Sequence, residues 1–236
     1  MELSVLEERE QNKSSLKFRI TFFFVFFLVA VFAVFVITSV LQVNTVTKFI
    51  CSHYATPAIE QAIELIDPGS FERLSQTLDS SDPYYAVTQQ KLLEIKKEAN
   101  CLYLYTMAPK ENSLFYYIID GSDKIGGESF SALGSVEDIS YWDKAALKSF
   151  VTGKSQIGTI DQSEEYGATI SSYEPLFGKS GEVIGLIACD VDASEIVKWV
   201  RTQVVWQLGI VLTILLVGLA VYITLIKLVN KSFSEA

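Results

Sequence analysis

The side chains in this 236-residue sequence that could do chemistry are tyrosines and aspartates. Tyr103 and Tyr105 alternate with Leu102 and Leu104, which in a strand puts both hydroxyls on one face. Tyr117 and Tyr173 stand in neighbouring strand-like runs, so Tyr105, Tyr117 and Tyr173 can bring their hydroxyls to one pocket, with core packing as the competing role for each. Asp190 ends a run in which Ile184, Leu186 and Ala188 share its face by period two, so its carboxylate points where apolar side chains point. A carboxylate there needs a donor. A cationic ligand group supplies one, and a strand-end cap is the alternative. Tyr141 and Trp142 offer an aromatic wall for a cation or a ring, or else packing of their segment onto a sheet. Asp138 and Asp161 are candidates for ligand contact, against turn chemistry.

This set binds; it does not react. The single histidine, His53, lies in a helical run and can build neither a triad nor a metal cluster. No nucleophile has an adjacent base, no pair of carboxylates is spaced for acid–base work, and Gly126-Gly127 lacks the strand-then-helix context of a phosphate loop. An enzyme is not expected, nor is a cofactor. The three cysteines, Cys51, Cys101 and Cys189, are too scattered for a disulfide scaffold or a zinc site. Cys101 and Cys189 lie in strand-like runs and read as small buried hydrophobes before they read as a bridge.

The elements that would position these residues are framed by two apolar windows. Half of the residues are hydrophobic (50%), which excludes a disordered chain, and the charges vanish from Ile20 to Leu41 and from Trp206 to Ile226. At about 1.5 Å per residue either window makes a helix that crosses a hydrocarbon core of about 30 Å. Lys13, Lys17 and Arg19 precede the first as in a signal peptide, but its apolar run is too long and no small-residue cleavage site follows, so it is read as a retained anchor. Trp199, Trp206, Lys227 and Lys231 flank the second as interfacial anchors would. Basic residues near both outer ends of the spans place both termini in the cytoplasm by the positive-inside rule. The expected organisation is a cytoplasmic N-terminus (1–19), a first span (20–41), an extracytoplasmic domain (42–205), a second span (206–226) and a cytoplasmic tail (227–236). The outer segment holds 23 acidic against 13 basic residues, a charge that serves solubility and disfavours nucleic acid as a partner.

Within that segment the apolar stripe Val43, Val46, Phe49, Ile50, Ile59, Ile63, Ile66 continues the first helix outward until Asp67-Pro68-Gly69 stops it, with Pro57 expected to bend it. The stripe exceeds what one sheet need cover, which suggests a homodimer. A second helix starts at Asp82-Pro83 and ends near Lys96 and Lys97. From Cys101 the period changes to that of strands: Leu102 to Met107, Leu114 to Ile119, Ala168 to Tyr173 and Val183 to Val191. Between the second and third lies an irregular insert, Gly126 to Asp161, holding one short helix. The fold class is α+β, an antiparallel sheet whose two ends both feed transmembrane helices.

That order, carried by Tyr103-Leu104-Tyr105-Thr106-Met107-Ala108-Pro109, Ile118-Ile119-Asp120-Gly121-Ser122-Asp123, Glu137-Asp138, Ser172-Tyr173-Glu174-Pro175 and Gly185-Leu186-Ile187-Ala188-Cys189-Asp190-Val191-Asp192, resembles the Cache sensor modules of bacterial methyl-accepting chemotaxis receptors over residues 42 to 205. The resemblance implies a PAS-like single Cache domain, with a long N-terminal helix, five or six antiparallel strands and one pocket between sheet and insert. It implies a sensor passing a small-molecule signal across the membrane, in a chemotaxis receptor or alternatively in a histidine kinase or diguanylate cyclase. A stand-alone partner-binding scaffold is the reading from another class. In amino-acid-binding relatives the aspartate matching Asp190 takes the ligand ammonium, which points to an amine-bearing ligand. Ile139 stands where their carboxylate-binding arginine would be, so a free carboxylate is not expected. The chain stops shortly after the second span, so the cytoplasmic signalling module of such receptors is expected elsewhere.

Overall fold

A computed structural model describes residues 2–123, 127, 130–142, 144–163 and 167–234, and of residues 2–10, 141, 142, 163 and 234 the backbone alone. The chain divides into two compact units, Asn44–Lys198 and the remainder up to Val43 and from Trp199. The remainder consists of most of α1 (Glu2–Ile50) and α7 (Ser194–Ser234). Both helices are long and apolar enough to cross a membrane, and their most apolar stretches are unburied. Phe23 and Trp206 are about two-thirds exposed, at 68% and 69%, a surface that lipid solvates and water does not. The two helices meet through few groups. Gln207 accepts from the Ser39 hydroxyl at 2.9 Å and donates to Gln42 Oε1 at 2.8 Å, while the Thr21 and Tyr222 hydroxyls lie 3.1 Å apart. Phe24 stacks on Tyr222, and Gly218 leaves room for Phe27. Polar clips and a small residue at the crossing are how helices associate without a hydrophobic drive between them.

Within the second unit α1 ends at Ile50 and the α-helical register is lost. A π-helical turn, Cys51–Ala55, leads into α2 (Thr56–Leu65). The Thr56 N–H and hydroxyl both bond the Cys51 carbonyl, at 3.3 Å for the hydroxyl, and Pro57 occupies the first turn of α2. A proline donates no N–H and its ring strikes the preceding turn, so the widened turn admits Pro57 where a plain bend was expected.

Asp67-Pro68-Gly69 is a start as well as a stop. Asp67 caps α3 (Pro68–Thr77) by accepting from the Ser70 N–H at 2.8 Å, just as Asp82 caps α4 (Pro83–Ala99) through Tyr84. The aspartate–proline pair at the cap and first helical position is the same in both. The sequence reading recognised it only before the longer helix.

Six strands follow in one antiparallel sheet: β1 (Tyr103–Glu111), β2 (Leu114–Asp120), β3 (Val136–Asp138), β4 (Gln156–Ser163), β5 (Gly167–Phe177) and β6 (Val183–Asp192), in spatial order β3-β2-β1-β6-β5-β4. This is the architecture that the resemblance implied. The irregular insert is a correction: it contains both edge strands, β3 and β4, and two helices, α5 (Ile139–Trp142) and α6 (Lys144–Thr152). Edge strands pair on one side only and need not be apolar, and β4, with Gly158, Asp161, Gln162 and Ser163 among its eight residues, reads as loop by composition. Part of the insert, Gly126 included, lies outside the described residues.

The sheet is covered on both faces. α2 and α4 pack on one, where Leu104, Ile187 and Cys189 are fully buried and Gly121 lies against the Leu92 backbone. On the other, Tyr105, Met107, Phe115, Tyr173, Leu186 and Ala188 form a cluster with Ile139, Ala145 and Ala146. Gly185 is the tightest point. A Cβ there would strike the Met107 carbonyl and stand 2.8 Å from the Phe71 ring. Gly185→Ala is therefore expected to cost about 3 kcal/mol, the upper range for overpacking. Gly181→Ala, with φ 88° but open space around it, should cost about 1 to 2 kcal/mol. Thermal melts of the two variants that coincide would contradict this packing.

Candidate ligand-binding site

Between the second face of the sheet and the insert lies a cavity of about 590 Å³. Its floor is built by register. Asp190 on β6 pairs with Tyr103 on β1 and with Ser171 on β5, and the next rung runs Tyr105, Ala188, Tyr173. Alternate residues share a face, so both rungs point into the cavity. Tyr117 joins them, its ring 5.4 Å from that of Tyr105.

Two bulges decide which other residues reach it. Thr106 pairs with Ile119 but Met107 pairs with Tyr117, so Ile118 is an extra residue in β2. Its insertion reverses the alternation, and Tyr117 and Asp120, three residues apart, both line the cavity. Thr106 secures the bulge by accepting from the Ile119 N–H at 3.0 Å. A second register shift, between Ile157 and Ile160 in β4, accompanies Thr159 and Asp161 on the cavity side.

The two innermost carboxylates differ in how they are satisfied. Asp120 accepts from the Ser131 N–H at 2.7 Å and the Ser122 hydroxyl at 2.8 Å, which ties the insert to β2. Burial raises its pKa and these two donors hold it back. Asp190 has one oxygen, Oδ1, shielded from solvent with no hydrogen-bond partner among the described residues. Burial pushes Asp190 up to about 7, the hydroxyls of Ser171 and Tyr105 pull the other way, and the Asp120 charge adds to the rise. Burial, then the proximity of Asp190, likewise raises the Tyr105 hydroxyl well above its ordinary value.

Of the residues singled out from sequence, Tyr105, Tyr117, Asp161, Tyr173 and Asp190 line this one cavity. Asp138 is not among them. Its carboxylate accepts from the Ser140 N–H at 3.0 Å and hydroxyl at 2.6 Å, opening α5, and these bonds lower its pKa. Turn chemistry accounts for it. The side chains of Tyr141 and Trp142 lie outside the described residues. Sequence reasoning missed Asp120, Ser171, Thr159, Thr169 and the Phe130–Ser131–Ala132 wall of the insert. Ser171 was within reach, two residues from Tyr173 on one strand. Asp120 was not, because the bulge is invisible to a period of two.

The sequence matches no protein-family model and no curated protein. Solved structures similar to it are an extracellular ligand-binding receptor from Desulfohalobium retbaense (14% identity, TM-score 0.39, 64% of this chain and 25% of that one), the ligand-binding domain of the Campylobacter jejuni chemoreceptor Tlp3 in complex with L-valine (14%, 0.39, 74% and 66%) and the sensor domain of the V. cholerae histidine kinase DctB (13%, 0.38, 65% and 58%). The match thus spans a quarter of the first chain, and under two thirds of the length of all three.

Proposed function

We propose that this chain is a membrane-anchored sensor of the Cache type, with residues 42–205 outside and both termini in the cytoplasm, which binds a small amine-bearing molecule in the cavity and serves a chemotaxis receptor. The observation that carries the ligand class is the buried Asp190 oxygen without a partner, in a cavity whose described lining includes Asp120, Glu137, Asp161 and Asp190 and no lysine, arginine or histidine. An anionic ligand would meet like charge on every side. A neutral one would leave Asp190 either uncompensated or protonated. An ammonium group satisfies the carboxylate, and the tyrosine rings of Tyr105, Tyr117 and Tyr173 offer it π faces.

Asp190 also stands close to the route outward. Asp192, two residues on, caps α7 by accepting from the Ser194 N–H at 2.7 Å. A ligand that contacts Asp190 differently in two arrangements of this strand end shifts the population between them, and α7 carries the shift along the chain.

Calorimetry of the full chain in detergent against a panel of primary amines, diamines and amino acids tests the ligand class. Binding of an ammonium requires the ionised Asp190, so affinity should fall about tenfold per pH unit below pH 7 and level off above it. Asp190→Asn should lose roughly 10- to 150-fold in affinity, the equivalent of about 1.5 to 3 kcal/mol, together with that pH dependence. Stability without ligand should show the opposite trend. A carboxylate whose pKa is raised by folding holds its proton more tightly in the folded state, so stability falls as pH climbs from the ordinary carboxylate range to about 7. Asp190→Asn should remove that fall. Affinity that is the same at pH 5 and pH 8 would take Asp190 out of the site.

Orientation has its own test. A reporter active only in the cytoplasm should work when fused after Ala236 and fail when inserted in the turn at Lys179 and Ser180. Activity at both positions would refute the two-span arrangement.

A further inference from the structure

Behind the cavity, on the helix-covered face of the sheet, the three cysteines of the chain come together. Cys189 precedes Asp190 on β6 and points the opposite way, and Cys101 sits in the turn between α4 and β1. Their sulfurs are 3.0 Å apart although the residues are 88 positions apart in sequence. All three thiols are free and buried. Cys51, in the π-helical turn, lies over the same strands, with Ser172, the β5 partner of Cys189, beside its thiol.

We propose that Cys101 and Cys189 are a redox-active pair that closes to an intramolecular disulfide, with a small disulfide such as oxidised glutathione as the oxidant. A separation of 3.0 Å leaves about 1 Å to travel to a sulfur–sulfur bond of about 2.05 Å, and no intervening atom has to move aside. The two residues have distinct parts. Cys101 retains 7% of its surface and Cys189 none, so an incoming disulfide reaches Cys101 first. The Cys189 S–H donates to the Cys101 sulfur, and this bond favours the Cys101 thiolate, with Lys96 adding to the effect. The same bond, with burial, holds Cys189 protonated.

The Cys101 thiolate attacks glutathione disulfide, forming a mixed disulfide and releasing one glutathione thiolate. Loss of its partner frees the Cys189 proton to the departing thiolate. The Cys189 sulfur then attacks Cys101, forming the Cys101–Cys189 bond and expelling the second glutathione. Two thiols of the protein are oxidised, and one glutathione disulfide is reduced to two thiols. The bond would fasten β6 to the start of β1 directly behind Asp190, whatever ligand the cavity takes and whichever side of the membrane it faces.

The full chain purified in detergent and equilibrated across glutathione redox ratios, then acid-quenched, denatured and alkylated, gives the test. The reduced chain should take three alkyl groups, one per cysteine. The oxidised chain should take only the one on Cys51, with a Cys101–Cys189 cross-linked peptide on digestion. Cys51→Ser should still oxidise, while Cys189→Ser should stall with one glutathione on Cys101. The oxidised wild type should melt roughly 5 to 10 °C above the reduced form, a gap absent in Cys189→Ser. Three alkyl groups at every ratio, persisting after prolonged treatment with copper phenanthroline, would overturn the proposal. So would a cross-link that involves Cys51.

Discussion

The domain carries a half-buried carboxylate in the middle of its sheet, with one oxygen shielded from solvent. Placing Asp190 on a central strand, between Tyr103 and Ser171, removes a charge from water without a full set of donors. Such a group is costly when ionised, and the protein can lower the cost only by binding a proton or a cation. The remaining core has to hold the sheet together against that penalty. On the other face Cys51, Ala55, Ala58 and Ala62 are completely buried. Small side chains along this stretch let the helix lie close to the strands, and Leu92, Leu104 and Ile187 fill the space around them.

The two faces divide the labour sharply. On the helix face, Thr106 fills a bulge and Gln89 donates to the Ser122 carbonyl at 3.2 Å, while the Ser172 Oγ is buried without a hydrogen-bond partner among the described residues. On the cavity face, hydroxyls and carboxylates are concentrated on adjacent rungs. Asp120 lines the same cavity as Asp190, yet its donors from Ser122 and Ser131 make it a structural tie for the insert. Two aspartates of one cavity thus differ in their hydrogen bonds: Asp120 holds the wall, and Asp190 keeps one oxygen without a partner among the described residues.

Much of this was legible in the sequence, and what was not has specific causes. Alternation of tyrosine with leucine at 102–105, and the period-two spacing that puts Asp190 on one face with Ala188 and Leu186, placed both faces of the central strands correctly, because β1 and β6 pair without interruption there. The same rule could not have placed Asp120 beside Tyr117, since one extra residue in β2 changes the side on which everything after it falls. The edge strands escaped notice because an edge does not have to be apolar, and β4 reads Gln-Ile-Gly-Thr-Ile-Asp-Gln-Ser. Asp138 was a fair candidate by type, but a short residue two positions before a serine is also what opens a helix. The proximity of Cys101 and Cys189, whose bridge stood second to small buried hydrophobes in the sequence, depends on the pairing of strands far apart in the chain.

The position of Asp190 along β6 bears on how an occupied cavity would differ from an empty one. Up to Asp190 the strand is held from both sides. Pairing with β1 ends at Tyr103 opposite Asp190, where the Leu102 N–H reaches the Asp190 carbonyl at 2.8 Å. Beyond that point, among the described residues, β5 alone pairs with it, through Asp192 opposite Thr169 and the Ala193 N–H on the Ala168 carbonyl at 2.8 Å. A strand gripped on both sides cannot shift without breaking two ladders, whereas a segment held on one side can turn at the cost of a few hydrogen bonds. On the sensor reading, the ligand's charge therefore acts at the last fixed residue, immediately before the stretch that is free to respond and that becomes α7. A contact one rung earlier, at Ala188, would press on a part of the sheet that has nowhere to go.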